Sequence, residues 1–203
     1  DGKTETLFLD ITVKGIQLND GLQKALNEAI GQLPIPKVMT YQLADGWQSV
    51  NFVRPAHSLL VLHGADIVPA NILGLQAGRE TQGHRFEAKV NPIVLHNADS
   101  YAQQLATEGA VIADFAERRA EIARQLAAAA KKENLAPIDD DALLDEVTAL
   151  VEHPNVLACQ FDAEFLQVPQ ECLILTMKAN QKYFPLLDKQ GKLANKFLLV
   201  SNI

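Results

Sequence analysis

Apolar and polar positions alternate over residues 6–13 (TLFLDITV), and this period of two, with its β-branched content, predicts a half-buried strand ended by Gly15. From Asn19 the period lengthens. Leu22, Leu26, Ala29, Ile30 and Leu33 fall on one helical face, with Asn19 or Asp20 as the cap and Pro34 and Pro36 as the stop. Residues 38–52 predict two short extended pieces around the turn Ala44-Asp45-Gly46, with Trp47 as a packing residue. Residues 58–63 and 67–75 flank Gly64-Ala65-Asp66 and predict a hairpin of two well-buried strands, Pro69 marking an edge or bulge in the second. A loop containing Gly78, Arg79, Thr81, Gln82 and Gly83 leads through His84-Arg85-Phe86 to a further strand at residues 93–95.

The second half is mainly helical before it returns to strand. Asn97 or Asp99 is placed to cap a helix over residues 101–107, which Gly109 divides from a longer one. Val111, Phe115, Ile122 and Leu126 give that longer helix a narrow apolar stripe as far as Lys132, with most of its surface wet. Asp139 to Asp141 put negative charge at the start of another helix, residues 142–152, whose Leu143, Leu144, Val147, Leu150 and Val151 share a face. These two helices are expected to pair antiparallel. His153-Pro154 stops the second, and residues 156–161 (VLACQF) read as a strand returning to the sheet. Pro169 then opens a helix with Leu173, Met177 and Gln181 on one face, and Pro185 marks its exit into a hairpin turning at residues 188–192 (DKQGK). The order predicts an α+β fold with a mixed or mainly antiparallel sheet, packed helices and a helical excursion. Residues 1–96 form the first part of the core, 97–153 a helical insertion or subdomain, and 154–203 a strand, helix and hairpin that complete it.

Charge changes this picture locally. The net charge is −7, which argues against a general nucleic-acid binder. The acid is concentrated, however: residues 96–153 hold five basic and twelve acidic side chains, whereas residues 178–203 hold five lysines against Asp188 alone. At 48% hydrophobic over 203 residues the chain can bury a substantial core. Its apolar runs are too short for a membrane helix, and the absence of an initiating methionine or leader reads as an excised fragment. Cys159 and Cys172 lack CxxC spacing and read as two buried thiols of a cytoplasmic protein. Phosphate-binding glycine loops, a nucleophile elbow and HExxH are missing, and no metal site is expected.

Six blocks, in order, resemble one family. FVRPAH at 52–57, ILG at 72–74, GHRF at 83–86, VIADFAERR at 111–119, LDEVTALVE at 144–152 and TMKANQKYFPLLDKQGKLANKFLLVSNI at 176–203 are similar to segments of the beta subunit of the bacterial heterotetrameric glycyl-tRNA synthetase. The resemblance implies an inner part of that subunit's N-terminal half, with a fold like the editing-type domain of the phenylalanyl-tRNA synthetase beta subunit. It also implies as partners a glycine tRNA, the alpha subunit, and a second beta subunit in an alpha2-beta2 assembly. ATP and magnesium are expected at the alpha subunit, which carries the aminoacylation motifs, and no cofactor in this segment.

Two residue sets could carry the work. Arg54, His57, His84 and Arg85 would form an anion pocket for a phosphate or a tRNA terminus if they converged; otherwise the arginines pair with carboxylates and His57 caps a strand end. Lys178 and Lys182 lie four apart and are expected to share a helix face, with Gln181 and Tyr183 nearby, which suits RNA phosphates and a stacked base as well as it suits a solvated face. Glu117, Arg118, Arg119 and Glu121 read as surface ion pairs. No catalytic residue is assigned. The leading reading is support of glycine attachment by organising the tRNA or the subunits. The alternatives are a hydrolase of mischarged tRNA using His57 and His84 as proton-transfer groups, and a structural scaffold.

Overall fold

The computed structural model describes residues 8–53 and 56–203. The fold is α+β, and the chain forms two compact units, residues 1–79 and 80–203, a different partition from the three segments read from sequence.

In the first unit, helix α1 (Leu18–Gln32) is entered through Gln17, whose carbonyl accepts from the Gly21 N–H at 3.0 Å; Asp20 sits in the first turn instead of capping. Leu22 and Leu26 are half-buried as the periodicity requires. The expected strand at residues 6–13 is not formed over its described part: Phe8–Val13 are irregular and exposed. Alternation makes a strand only where a neighbour supplies the ladder and a layer to bury the apolar half, and among the described residues neither is present. Strands β1 (Met39–Gln42) and β2 (Ser49–Phe52) form the expected antiparallel hairpin. Its turn is built by Asp45, whose Oδ1 accepts from the Trp47 and Gln48 N–H groups at 2.9 and 3.0 Å. Those two bonds stabilise the carboxylate and lower the Asp45 pKa, the Gln48 bond most. Trp47 is no packing residue. It is 91% exposed, because it lies in the turn beyond the last paired residues.

The hairpin expected over residues 58–75 divides into smaller pieces. β3 (Leu59–Leu60), β4 (Leu62–His63), β5 (Asp66–Ile67), β6 (Asn71–Ile72) and β7 (Leu75–Gly78) replace two long strands. β4 and β5 pair across Gly64-Ala65, β6 and β7 across Leu73-Gly74, and β3 runs parallel to β7. Pro69, with no N–H to donate, falls in the break between β5 and β6, and Leu73 and Gly74 both adopt positive φ, 54° and 76°, as a two-residue turn of this hand requires. The Gln23 side-chain amide both donates to and accepts from the Asn71 backbone at 2.7 Å, tying α1 to β6.

The second unit holds β8 (Glu80–Thr81) paired with β9 (Ile93–Val94), then α2 (Tyr101–Glu108), α3 (Phe115–Lys132), β10 (Ala136–Pro137), α4 (Asp141–Leu150), β11 (Asn155–Gln160), α5 (Gln170–Gln181), β12 (Phe184–Leu187) and β13 (Leu193–Ser201). Among the described residues β11 pairs with β13. It joins an all-antiparallel sheet in the order β10-β12-β13-β11. Ile122, Leu126 and Ala130 of α3, with Leu143 and Val147 of α4, are buried against Phe184, Leu186, Leu198 and Val200 of that sheet. Val111 and Phe115 do not extend this stripe: Asp114 caps α3 by accepting from the Glu117 N–H at 2.8 Å, so the helix begins after Val111, and Phe115 is exposed. Asp140 caps α4 in the same way through the Leu143 N–H at 2.9 Å. The two helices run antiparallel, since Arg118 and Ile112 bond the Thr148 and Glu152 carbonyls at the end of α4 while Asp141 and Leu144 lie beside Ala123 and Ala127. Cys159 is half-buried, as its strand suggests, but Cys172 is exposed on α5.

The loop at residues 82–90 is held by a contact between two glycines. The His84 N–H donates to the Gly109 carbonyl at 2.7 Å. A Cβ on Gly83 would stand 2.7 Å from Gly109 Cα and 2.8 Å from its oxygen, and one on Gly109 would stand 2.5 Å from Ile93 Cδ1 and 2.9 Å from the Leu105 oxygen. Backbone atoms cannot give way as a flexible side chain does. Gly83→Ala is therefore expected to destabilise the protein by about 1–3 kcal/mol, and Leu198→Ala, at a fully buried position, by about 2–5 kcal/mol, both read from urea denaturation midpoints.

Candidate functional site

The chemically densest stretch of the sequence, residues 176–187, forms the end of α5 and its exit into β12. Lys182 lies outside the helix, so Lys178 and Lys182 do not share a helical face. Lys182 is the C-cap in left-handed conformation, φ 59° and ψ 32°, and its N–H and that of Tyr183 both donate to the Met177 carbonyl. Lys182 Nζ donates to the Ala179 carbonyl at 2.9 Å and pairs with Glu146 of α4 at 2.8 Å. Lys178 Nζ pairs with Asp140, the cap of α4, and both of these side chains are largely covered. Each ammonium thus bridges α5 to α4. Gln181 is exposed at the helix end. Tyr183 is half-buried and stacks on Phe197 with centroids 4.6 Å apart and planes at 21°, so one face of its ring is already covered by the protein.

The other set is divided. Arg54 lies outside the described residues, and His57 is exposed in the first unit. His84 belongs to the second unit and is only 2% exposed. Its Nδ1 accepts from the Phe86 and Glu87 N–H groups at 3.3 and 3.1 Å and so shapes the turn that follows. Gly83 allows a close backbone approach, and the backbone that approaches is that of Gly109. Arg85 is exposed with its guanidinium 5.4 Å from the Phe86 ring centre. His84 also lies edge-on to His153 at 6.3 Å, beyond the end of α4, whereas Lys178 is bound at its start. Within the second unit, His84 and Lys178 therefore sit at opposite ends of α4.

Of the presumed surface pairs, Arg119 reaches Asp141 and Asp145 at 2.5 Å each, and Glu121 pairs with Arg124 at 2.6 Å. The Arg124 and Gln125 donors hold Glu121 at about 2. Arg118 differs, giving its guanidinium to the Thr148 and Ile112 carbonyls at 2.9 and 2.5 Å. Sequence reasoning passed over Lys131 and Lys189. They line an open cleft of about 450 Å³ at the end of α3 together with Asn134 and Asp188, over a floor that includes Ala127, Ala130 and Leu187. Asp188 is engaged by its own turn, accepting from the Gln190 and Lys192 N–H groups at 2.8 and 2.9 Å. Among the described residues neither lysine forms an ion pair. The signal available in sequence was the pair Lys131-Lys132 at a helix end and the basic turn DKQGK, 56 residues or more downstream.

Asp140 has two jobs, capping α4 and anchoring Lys178. The Lys178 ammonium, and after it the Leu143 N–H, hold its carboxyl below the ordinary value of 3.8. A folded-state pKa below the unfolded one adds stability above the unfolded value, and that stability is lost as pH falls through the folded value. Two outcomes are expected. Asp140→Ala loses cap and ion pair together and costs about 1–2 kcal/mol at pH 7, more than Lys178→Ala, which removes one partly covered pair. In urea midpoints taken from pH 6 down to pH 2, Lys178→Ala also flattens the acid loss of stability below pH 4 relative to the parent protein.

The sequence profile of the family described as "Glycyl-tRNA synthetase beta subunit" matches residues 1–203. The chain is 72% identical over 203 residues to the glycine–tRNA ligase beta subunit of Leptothrix cholodnii, 70% over 209 residues to that of Dechloromonas aromatica, and 71% over 203 residues to that of Methylobacillus flagellatus. In each case all of this chain is covered but only 28–29% of the relative, so the chain spans less than a third of the length of these relatives. No described helix is long and apolar enough to cross a membrane. With a family match over every residue and these identities, the chain belongs to the glycyl-tRNA synthetase beta subunit family.

Proposed function

We propose that this chain is a region of a glycine–tRNA ligase beta subunit that supports the ATP-dependent attachment of glycine to its tRNA by positioning the tRNA, and performs no chemical step itself. ATP, magnesium and glycine belong, on this reading, to the alpha subunit. The observation that carries the reading is the division among the lysines of the second unit. Lys178 and Lys182 are neutralised by Asp140 and Glu146 and hold α5 on α4, whereas Lys131 and Lys189 flank one open cleft with no carboxylate on either ammonium among the described residues. An ammonium without an internal partner is available to a phosphate, and displacing its counterions makes the contact sensitive to salt. A hydrolytic role for the histidines is less well supported, because the His84 Nδ1 lone pair already accepts two backbone N–H groups.

The test compares two double variants in the full beta subunit assembled with alpha. Lys131→Ala with Lys189→Ala is expected to raise KM for tRNA several-fold at unchanged kcat and to reduce the salt slope of tRNA binding by about one per lysine. Lys178→Ala with Lys182→Ala is expected to lower the denaturation midpoint and leave that slope unchanged. Unchanged tRNA kinetics in the first pair would overturn tRNA contact at this cleft and leave the region a scaffold, and release of free amino acid from mischarged glycine tRNA would restore the hydrolase.

A further inference from the structure

The cleft at the end of α3 holds more than its two lysines. Its floor is aliphatic, formed by Ala127, Ala130, Leu135, Pro137 and Leu187, and its volume is about 450 Å³, the size of a site for one small ligand. An RNA duplex offers its phosphates on a convex surface, so a duplex seated here would reach the rim lysines and leave this floor in water. The floor is used only if a flat, largely apolar group enters below the rim. An unstacked nucleobase is such a group: its face rests on apolar side chains while its phosphate stays within reach of the cations above.

The rim supplies the polar half of the same ligand. Lys131 and Lys189 are exposed and form no ion pair among the described residues. Two carboxylates beside them in sequence are already engaged: Glu133 is taken by Lys196, and Asp188 accepts two N–H groups of its own turn. Asn134 is a separate observation. It follows α3 in left-handed conformation, φ 55°, with its N–H on the Lys131 carbonyl at 3.2 Å, so its backbone donor is satisfied locally. The residue lines the cleft, and among the described residues its side-chain amide has no hydrogen-bond partner. An amide carries donors and an acceptor side by side, which matches the edge of a base better than it matches a phosphate, an acceptor only.

We infer that this cleft takes a single unpaired nucleotide of the tRNA, its base on the aliphatic floor, the edge of that base at Asn134 and its phosphates toward Lys131 and Lys189. The inference rests on the reading that this cleft contacts tRNA, and adds that one unstacked base makes the contact rather than duplex backbone.

Two variants of the full beta subunit, assembled with alpha, remove the base contacts and keep both lysines. Asn134→Gly retains the left-handed turn without its amide, and Ala127→Gln, at an exposed position of α3, puts a polar side chain across the floor. Ala128→Gln, exposed on the same helix and outside the cleft lining, is the control. In tRNA binding followed by fluorescence anisotropy across a salt series, each cleft variant raises Kd at least about five-fold, the lower end of what one stacked or edge-bonded base contributes. The salt slope stays at the parent's value, and the control changes neither quantity. Acylation of the tRNA 2′-hydroxyls then shows one nucleotide altered in the parent complex and restored to its free reactivity in both variants. Parent affinity in either variant overturns the inference, as does an acylation pattern that the parent protein leaves unaltered. Phosphate contact still stands in that case if Lys131→Ala with Lys189→Ala lowers the slope; if that pair also changes nothing, the tRNA reading falls with it. A lowered slope in the cleft variants counts equally against the inference, because they would then act through the lysines.

Discussion

The second unit depends on one packing constraint: α3 and α4 must lay their apolar stripes on the β12–β13 face together. Ile122, Leu126, Leu143 and Val147 meet Phe184, Leu186, Leu198 and Val200 in a single cluster, and burial of this kind is the main favourable term available to a unit of this size. Polar groups then fix how the elements meet. Asp140 ends the preceding loop, caps α4 and receives Lys178 from α5, so one carboxylate sets the start of one helix and the seat of another. Gln125 works similarly at the sheet, donating to the Pro154 carbonyl at 2.9 Å and accepting from the Val156 N–H at 2.9 Å, which closes the start of the edge strand β11 against α3.

That constraint also sorts the charges. The acid-rich segment around α4 and the lysine-rich tail are complementary surfaces of one packed body, and the strong opposite biases seen along the chain are partly consumed where they meet. Lys196 joins Glu133 across the same region. A basic run in a sequence therefore overstates what is left for a nucleic acid, and the informative cations are those the fold leaves without a carboxylate.

The two units contrast in completeness. Residues 80–203 bury continuous faces of helix and sheet, whereas residues 1–79 combine short ribbons with an α1 that buries nothing fully. Short strands in sheets of two or three and a wide apolar cleft are what remains when the sequence pattern calls for a layer the described residues do not supply.

Local signals in the sequence determined most elements: the helical period of residues 22–33, the stop at Pro34, the Asp45-Gly46 and DKQGK turns, the division at Gly109 and the hairpin at the end all have their cause within a few residues. The family, too, was legible, because its blocks are contiguous. Tertiary structure alone decided the rest. Whether residues 8–13 form a strand depends on a neighbour, whether Trp47 packs depends on a layer above a turn, and the close approach allowed by Gly83 needed Gly109 to define it. The lysines show why most sharply. Lys178 meets a carboxylate 38 positions back in the chain and Lys182 one 36 back, and an ion pair between distant residues leaves no local pattern. Spacing tells which side chains share an element's face, but only the packing of that face tells whether a charge on it is free.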